Sequence, residues 1–273
     1  MDDLYIGMIL SYLRELEILK ILKYIRPWKN IVKKYGFMFN IDIRYAQVTD
    51  KDLKYFTGVH SINLVRCNNI TDAGIIYLRE CHTIGIFNCS YITESSFEHL
   101  KGIHSISYQN SGYPRALESL EGLENLKHLK GVHSIDLSHN YNLRDTYLKY
   151  LEGVHSVDLT YCRNVTDSGL KYLGGVQKIS LYGCKQITDS GLVHLKGVQD
   201  INLAFCRNIT DQGLEHLRRA HTIVLNQCHK ITDVGLRYLS EAHCIEIAGC
   251  FRISQENVNL MMQTNKKLKI QYL

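Results

Sequence analysis

The stretches GVHSVDLTYCRNVTDSGLKYL (residues 153–173), GVQKISLYGCKQITDSGLVHL (175–195) and GVQDINLAFCRNITDQGLEHL (197–217) are three versions of one pattern, each starting 22 residues after the last. The same spacing separates most of the cysteines of the chain. Seven of them form two series with this interval: Cys67 and Cys89, then Cys162, Cys184, Cys206, Cys228 and Cys250. A fixed period of this length indicates stacked structural repeats that share a core.

Each repeat begins with two apolar residues separated by one residue, as in Ile201 and Leu203. Alternate side chains of a strand point to the same face, so such a pair predicts a short strand with one buried face. The pairs are Ile41/Ile43, Ile62/Leu64, Ile84/Ile86, Ile106/Tyr108, Ile135/Leu137, Val157/Leu159, Ile179/Leu181, Ile201/Leu203, Ile223/Leu225, Ile245/Ile247 and Leu268/Ile270. The sequence therefore predicts about eleven stacked strands.

The second half of each repeat predicts a helix. Thr188 and Asp189 offer side-chain oxygens to the free N–H groups of a first helical turn, and Leu192 and Leu195 follow on one helical face. Glycine then recurs where the chain must reverse into the next strand, a position that favours a positive φ. These glycines are Gly58, Gly102, Gly131, Gly153, Gly175 and Gly197.

The period, the cysteine and the ITDxGL motif resemble the cysteine-containing leucine-rich repeats of F-box/leucine-rich-repeat proteins, over residues 41–273. The resemblance implies an α/β solenoid, or horseshoe, with a parallel sheet of about eleven strands on its concave face and helices on its convex face. One unit departs from the pattern, because Asn140 lies 29 residues after Ser111 and stands where cysteine is expected. We expect an enlarged helical arm, or a local break in curvature, in that unit.

The cysteines do not suggest a metal site or disulfides. Stacked repeats string them along a line at about 4.8 Å intervals, whereas zinc requires four ligands around one point. We expect buried thiols after each strand. A parallel series of histidines precedes the strands, with Gln177 and Gln199 in two repeats, and glutamine cannot titrate. This favours a side-chain hydrogen bond to the backbone over a metal or pH role.

Composition and motifs exclude several functional classes. A net charge of +5 without long basic runs gives no reason to expect nucleic-acid binding. The chain shows neither a membrane-length apolar run nor a secretory signal, which predicts a cytoplasmic protein. Catalytic triads, phosphate loops and metalloprotease motifs are absent from the sequence. We therefore predict a protein that is not an enzyme, with no cofactor, no metal and no membrane partner.

Outward-facing strand residues are the candidate binding surface, because they are not committed to the core. The aromatic residues of adjacent repeats would form an apolar anchor, edged by carboxylates that suit a basic protein partner. Alternatively, the aromatic residues only shield the neighbouring strands. The candidate residues on the concave face are Asp136, His139, Asp158, Tyr161, Tyr182, Asp200, Asn202 and Phe205.

Residues 1–40 form a separate segment whose apolar residues follow helical spacing. ILSYL at Ile9–Leu13 and Trp28 fifteen residues later resemble a degenerate F-box. The resemblance implies a substrate-recognition adaptor that binds a Skp-type linker of a cullin ubiquitin ligase and holds a protein substrate on the repeats. The linker-binding residues implied by position are Leu4, Ile9, Leu10, Leu13 and Ile18.

A second interpretation of the same segment needs no ligase. Solenoids require terminal caps, so these helices could simply cover the first repeat of a protein-interaction scaffold or effector. The abundance of Tyr, Ile, Lys and Asn with only 2 Pro resembles proteins of AT-rich genomes, including large DNA viruses and intracellular bacteria. In that case the protein would act in a host cytoplasm on host proteins.

Overall fold

A computed structural model describes residues 39–44, 47–109 and 122–272. The chain divides into two compact units, Met1–Val132 and His133–Leu273. Each unit has its own run of parallel strands and buried leucine, isoleucine and valine side chains. The predicted boundary between residues 40 and 41 remains a prediction, since residues 1–38 lie outside the described residues.

Four strands form the sheet of the first unit: β1 (Asn40–Arg44), β2 (Ser61–Val65), β3 (Thr83–Phe87) and β4 (Ser105–Gln109). Each pairs in parallel with the next, so that Ile41 lies beside Ile62 and Ile62 beside Ile84. The apolar pair of each strand is buried on the same side of the sheet, as the alternation predicts.

Seven shorter strands form the sheet of the second unit, again parallel and in chain order. They are β5 (Ser134–Asp136), β6 (Ser156–Asp158), β7 (Lys178–Ser180), β8 (Asp200–Asn202), β9 (Thr222–Val224), β10 (Cys244–Glu246) and β11 (Lys269–Gln271). The prediction of eleven short parallel strands is confirmed.

The helical arms are shorter than regular helices. Most have one α-helical turn, at Asp50–Leu53, Asp72–Ile75, Asp145–Leu148, Asp167–Leu170, Asp189–Leu192, Asp211–Leu214 and Asp233–Arg237. A 3₁₀ turn continues all but the last of these, at Lys54–Phe56, Ile76–Leu78, Lys149–Leu151, Lys171–Leu173, Val193–Leu195 and Glu215–Leu217. Two arms, Glu94–Leu100 and Gly122–Leu129, are 3₁₀ throughout, and Gln255–Thr264 is an α-helix of 10 residues. A 3₁₀ turn covers more length per residue, which suits a short repeat.

The threonine of each ITD motif caps its own arm, as predicted: Thr210 Oγ1 accepts from the N–H of Gln212 at 3.3 Å. The aspartate does something the sequence did not predict, because it bonds to the following repeat. Asp189 accepts from the Thr210 N–H at 2.8 Å and from the Thr210 hydroxyl at 2.5 Å. This pair of hydrogen bonds between neighbouring repeats is here called the seam. Equivalent seams join Asp50 to Thr71, Asp72 to Thr93, Asp145 to Thr166, Asp167 to Thr188, Asp211 to Thr232 and Asp233 to Ser254.

The seam also explains the glycine of ITDxGL. Gly213 has ordinary helical geometry, yet a Cβ placed on it would lie 2.3 Å from Oδ1 of Asp189. Gly191, Gly169 and Gly235 make the same close approach to the aspartate of the preceding repeat. Glycine is therefore required here for space and not for backbone freedom.

The reversal glycines follow the prediction with one exception. Gly153 and Gly175 have φ of 83° and 91°, and Gly58, Gly102 and Gly131 are likewise positive. The prediction for Gly197 was wrong, because its φ is not positive. Lys196 before it has ψ of −20°, whereas Glu152 before Gly153 has ψ of 128°. A residue with ψ near 120°, such as Glu152, is followed in a type II turn by a residue with positive φ. A residue with ψ near −20°, such as Lys196, does not require this of the residue after it.

The seven repeated cysteines are buried free thiols, as predicted. Cys184 Sγ donates to the carbonyl of Leu159 at 3.1 Å, and Cys206 Sγ to that of Leu181 at the same distance. Burial raises the pKa of Cys184 to about 12 and that of Cys228 to about 12. Asn140 occupies the equivalent position in the irregular unit, and its Nδ2 donates to Leu137 O at 2.8 Å. Most of the expected enlarged arm of that unit, residues 110–121, lies outside the described residues.

The histidine series forms stacks. The ring centroid of His82 lies 4.6 Å from that of His60 and 4.2 Å from that of His104. His133 stacks on His155 at 4.4 Å. Gln177 instead donates from Nε2 to Gly175 O at 2.9 Å, the side-chain-to-backbone bond expected at this corner. The predicted side-chain bond to the backbone is thus confirmed for Gln177 and for Gln199, which donates to Gly197 O at 3.3 Å, while the histidine rings at the equivalent position stack on one another.

Candidate functional site

A left-handed residue follows the strands of the second unit, immediately before each buried cysteine or Asn140. His139, Tyr161 and Phe205 have φ of 62°, 58° and 62°, and Gly183 has 71°. Their N–H groups still bond to the next repeat, as from Tyr161 N to Tyr182 O at 2.8 Å. The inter-strand bonding therefore continues past the strand ends while the chain turns away. The prediction that His139, Tyr161, Tyr182 and Phe205 are strand residues was wrong, because the structure places all four just beyond the strands.

Four half-buried rings form a continuous row across four consecutive repeats, here called the aromatic ladder: His139, Tyr161, Tyr182 and Phe205. Their centroids are 5.2 Å, 5.1 Å and 5.1 Å apart in that order. The contacts are tilted or edge-to-face, which are favourable aromatic geometries. A side-chain hydrogen bond with Tyr161 raises the pKa of Tyr182 above its ordinary value.

Gly183 makes room for the ladder. A Cβ on this residue would lie 2.7 Å from two ring carbons of Tyr161, and its φ of 71° also favours glycine. In the other three repeats of the ladder the ring is carried by the left-handed residue itself. In this repeat the ring moves one position back, to Tyr182, and keeps the row continuous.

Beside the aromatic ladder lies a shallow depression of about 290 Å³ on the exposed face of β5 to β9, here called the strand trough. The predicted residues Asp136, Asp158, Asp200 and Asn202 all line it. Eight residues were predicted as the candidate surface; the structure arranges four of them as a row of contacting rings just after the strands and the other four along the strand trough. Their binding role stays a prediction.

The carboxylates of the strand trough are partly committed within the protein. Asp136 Oδ1 accepts from Ser138 N at 2.9 Å, and Asp158 Oδ1 accepts from Thr160 N at 2.8 Å. Asp200 forms an ion pair with Lys178 at 3.0 Å. The ion pair offsets the charge of Asp200, and the two backbone bonds occupy one oxygen each of Asp136 and Asp158, so less of the trough is open to the basic partner expected from the sequence.

The sequence interpretation missed a row of cations directly after the cysteines. Arg163, Lys185 and Arg207 occupy equivalent positions in three consecutive repeats, next to the aromatic ladder, and all are exposed. The signal was present, because a basic residue follows cysteine in each of the three stretches that define the repeat. Leu4, Ile9, Leu10, Leu13 and Ile18, predicted to bind a linker protein, lie outside the described residues.

The comparison with family models decides the class of repeat: residues 154–174 match the leucine-rich repeat model. The protein has a leucine-rich-repeat fold. This fold typically serves as a binding scaffold for proteins, and no catalytic family matches the chain.

Solved structures with this fold resemble the chain at low sequence identity. An internalin, InlF, from Listeria monocytogenes has a TM-score of 0.56 at 15% identity, over 99% of this chain and 88% of the internalin chain. TLR13, solved in complex with ssRNA13, has a TM-score of 0.60 at 14% identity, over 86% of this chain and 35% of TLR13. Drosophila Toll, solved in complex with Spatzle, has a TM-score of 0.55 at 12% identity, over 86% of this chain and 39% of the Toll chain. At such identities the similarity concerns the fold alone.

No curated protein matches the sequence significantly. In the parts of the chain that the structure describes, no helix is both long and apolar enough to cross a membrane. The same described residues contain no group of three or more His, Cys, Asp or Glu side chains arranged to hold a metal ion.

Proposed function

We propose that the chain is a non-enzymatic recognition module that binds a partner protein on the exposed strand face of its second unit. The observation that carries this proposal is the aromatic ladder, a continuous row of four half-buried rings just after the strands of the parallel sheet. Aromatic residues supply much of the energy of protein interfaces because they bury a large area with few rotatable bonds. The strand trough beside the ladder provides polar groups for a surrounding rim.

The aromatic ladder gives the first testable prediction. Replacing Tyr161, Tyr182 and Phe205 together with alanine is expected to weaken binding to a partner captured from lysate by at least about 30-fold, since one interface hot spot contributes about 2 kcal/mol or more. The measurement is a titration of the purified partner by calorimetry.

The matched control replaces Tyr150 and Tyr172, which lie on the helical arms at Lys149–Leu151 and Lys171–Leu173, with alanine. This variant removes aromatic area from the opposite layer and is expected to bind as the unchanged protein does. Equal binding by the ladder variant and the unchanged protein would refute the proposed surface, provided that both unfold at similar temperatures.

We further propose that the recognition module is the substrate-recognition adaptor of a Skp-cullin-F-box ubiquitin ligase in the cytoplasm. Support comes from the sequence, where ILSYL at Ile9–Leu13 and Trp28 resemble an F-box. The adaptor would position a lysine of the bound substrate near a recruited conjugating enzyme, so its contribution would be geometry and affinity. The competing hypothesis is a scaffold or effector, viral or bacterial in origin, whose first residues only cap the repeats.

The adaptor hypothesis predicts that the full chain co-elutes with a purified Skp-type linker in gel filtration. Leu10→Asp combined with Leu13→Asp is expected to abolish co-elution, because it would bury two charges in an apolar contact. Thermal unfolding of the variant, followed by circular dichroism, checks that the repeats stay folded. If the unchanged chain binds no such linker, the scaffold hypothesis replaces the adaptor hypothesis.

A further inference from the structure

Three cations form a row along the aromatic ladder, here called the basic edge: Arg163, Lys185 and Arg207. Each follows its cysteine by one position, and the strands of these repeats pair in register. Neighbouring repeats are therefore about one strand spacing, ~4.8 Å, apart at this edge. Three positive charges in so short a row repel one another unless something compensates them.

The ion pairs found among the described residues leave the basic edge uncompensated. They join Arg44 to Asp42, Arg79 to Glu80, His99 to Glu98, Lys178 to Asp200 and Arg218 to Glu215. The guanidinium of Arg163 lies over the ring of Tyr141 at 5.5 Å, which supports the side chain without neutralising its charge.

The nearest carboxylates in sequence are already occupied. Asp167, Asp189 and Asp211 follow the three cations by four residues, and both oxygens of each accept hydrogen bonds from the threonine of the next repeat. Among the described residues, no ion pair joins these carboxylates to Arg163, Lys185 or Arg207. The positive charge of the basic edge is therefore available to a partner.

The backbone that carries the basic edge is held in place. Gln186 Nε2 donates to Arg163 O at 2.7 Å, and Asn208 Nδ2 donates to Lys185 O at 2.9 Å. Each amide thus ties the loop of one cation to the loop of the next. A row fixed in this way loses less conformational entropy on binding than cations on independent loops would.

We propose that the partner bound on the aromatic ladder presents an acidic peptide segment, whose carboxylates lie along the basic edge. This inference rests on the proposed function and specifies the chemistry of its partner. Apolar side chains of the segment would contact the ladder, while its acidic side chains would pair with Arg163, Lys185 and Arg207. It departs from the basic partner expected from the sequence, because the trough carboxylates are partly committed and the cations of the edge are not.

A polypeptide fits this surface better than a nucleic acid. A nucleic acid requires a basic groove that follows its phosphate backbone, whereas the strand trough beside the ladder is lined by the carboxylates of Asp136, Asp158 and Asp200. The ladder rings contact one another edge-on or at a tilt, as between Tyr161 and Tyr182 at 76°, which does not offer a row of parallel faces for stacked bases. A peptide can place acidic groups on one side only.

The experiment uses the full chain and two fluorescein-labelled decapeptides, one alternating Glu with Phe and one alternating Lys with Phe. Fluorescence anisotropy is expected to show at least about tenfold tighter binding of the Glu peptide at about 0.05 M salt, with most of the preference lost at about 0.5 M salt. Arg163→Glu, Lys185→Glu and Arg207→Glu combined should abolish the preference. The matched control, Lys149→Glu, Lys171→Glu and Lys196→Glu combined, makes the same charge change on or directly after the helical arms and should preserve the preference.

Each outcome bears on the proposal. Equal binding of both peptides, or equal loss in the edge variant and the control variant, would overturn it. Tighter binding of a labelled single-stranded oligonucleotide than of the Glu peptide would also overturn it, in favour of a nucleic acid. A captured partner that requires the aromatic ladder but binds the edge variant as well as the unchanged protein would refute the acidic segment and leave the proposed function intact. A captured partner that ignores the ladder would refute the proposed function itself.

Discussion

Raising the pH from about 8 to about 11 is expected to destabilise the repeats strongly, through the buried thiols. Burial raises the pKa of Cys81, Cys184 and Cys228 to about 12, and it raises the pKa of Cys162, Cys206 and Cys250 as well. In the unfolded chain these thiols ionise near 9.0. The folded state keeps them neutral at a pH where the unfolded state loses their protons.

The sign of the effect follows from this difference. The unfolded state gains stability as its thiols ionise, so the free energy of unfolding is unaffected well below pH 9.0 and falls as the pH rises toward 12. Each pKa unit of difference corresponds to about 1.4 kcal/mol for one thiol. Several thiols together are expected to remove most of the stability of an ordinary domain by about pH 11.

The measurement is urea unfolding at a series of pH values. The control replaces Cys184, Cys206 and Cys228 with alanine, which removes three ionisable groups at the cost of small cavities. This variant is expected to be less stable at about pH 8 and to lose less stability per pH unit above 9.0. Parallel pH profiles for the two proteins would show that the buried thiols are not the cause.

The second large effect concerns the seam between Asp189 and Gly213. Asp189→Ala is expected to lower the free energy of unfolding by about 2–4 kcal/mol, because it leaves the N–H and the hydroxyl of Thr210 without their charged acceptor. Gly213→Ala, which normally stabilises a helix by about 1 kcal/mol, is expected to destabilise this one by about 1–3 kcal/mol, since the new Cβ would overlap the Asp189 carboxylate.

The two changes are expected not to be additive. In the double variant the carboxylate is absent, so the alanine at 213 has more room and its helix propensity offsets part of the loss. Chemical unfolding of the four proteins of this cycle gives the coupling energy. Additive losses, or a stabilising Gly213→Ala in the presence of Asp189, would contradict the spatial role assigned to this glycine.

The sequence predicted the repeating features of the fold well because they depend on residues within one repeat. The apolar pair Ile201 and Leu203, the capping Thr210 and the buried Cys206 have local causes, namely strand alternation, free N–H groups and a compact apolar side chain. Contacts between repeats were harder to predict. A period of 22 does not show whether Asp189 serves its own helical arm or the next one, and Gly197 shows that a recurring glycine does not always adopt the same turn.

In the candidate site, too, the residues that share a repeat position were predicted and their contacts between repeats were not. Tyr161, Tyr182 and Phe205 were identified as neighbours because the period places them in adjacent repeats. Their exact arrangement depends on the left-handed turn after each strand and on the space that Gly183 leaves, neither of which follows from apolar patterning. The basic edge was missed because its importance depends on which carboxylates are already bonded, and the seams had not been predicted.

The uniform seam between repeats has an evolutionary consequence. Every repeat in the regular run carries a threonine that bonds to the aspartate of the preceding repeat, followed directly by an aspartate that bonds to the threonine of the next. An in-frame loss of 22 residues therefore rejoins two halves that already match. Duplication is equally simple. Such an array can gain or lose whole repeats without a new kind of contact between them. Selection can therefore change the number of positions on the recognition surface while the seams stay the same.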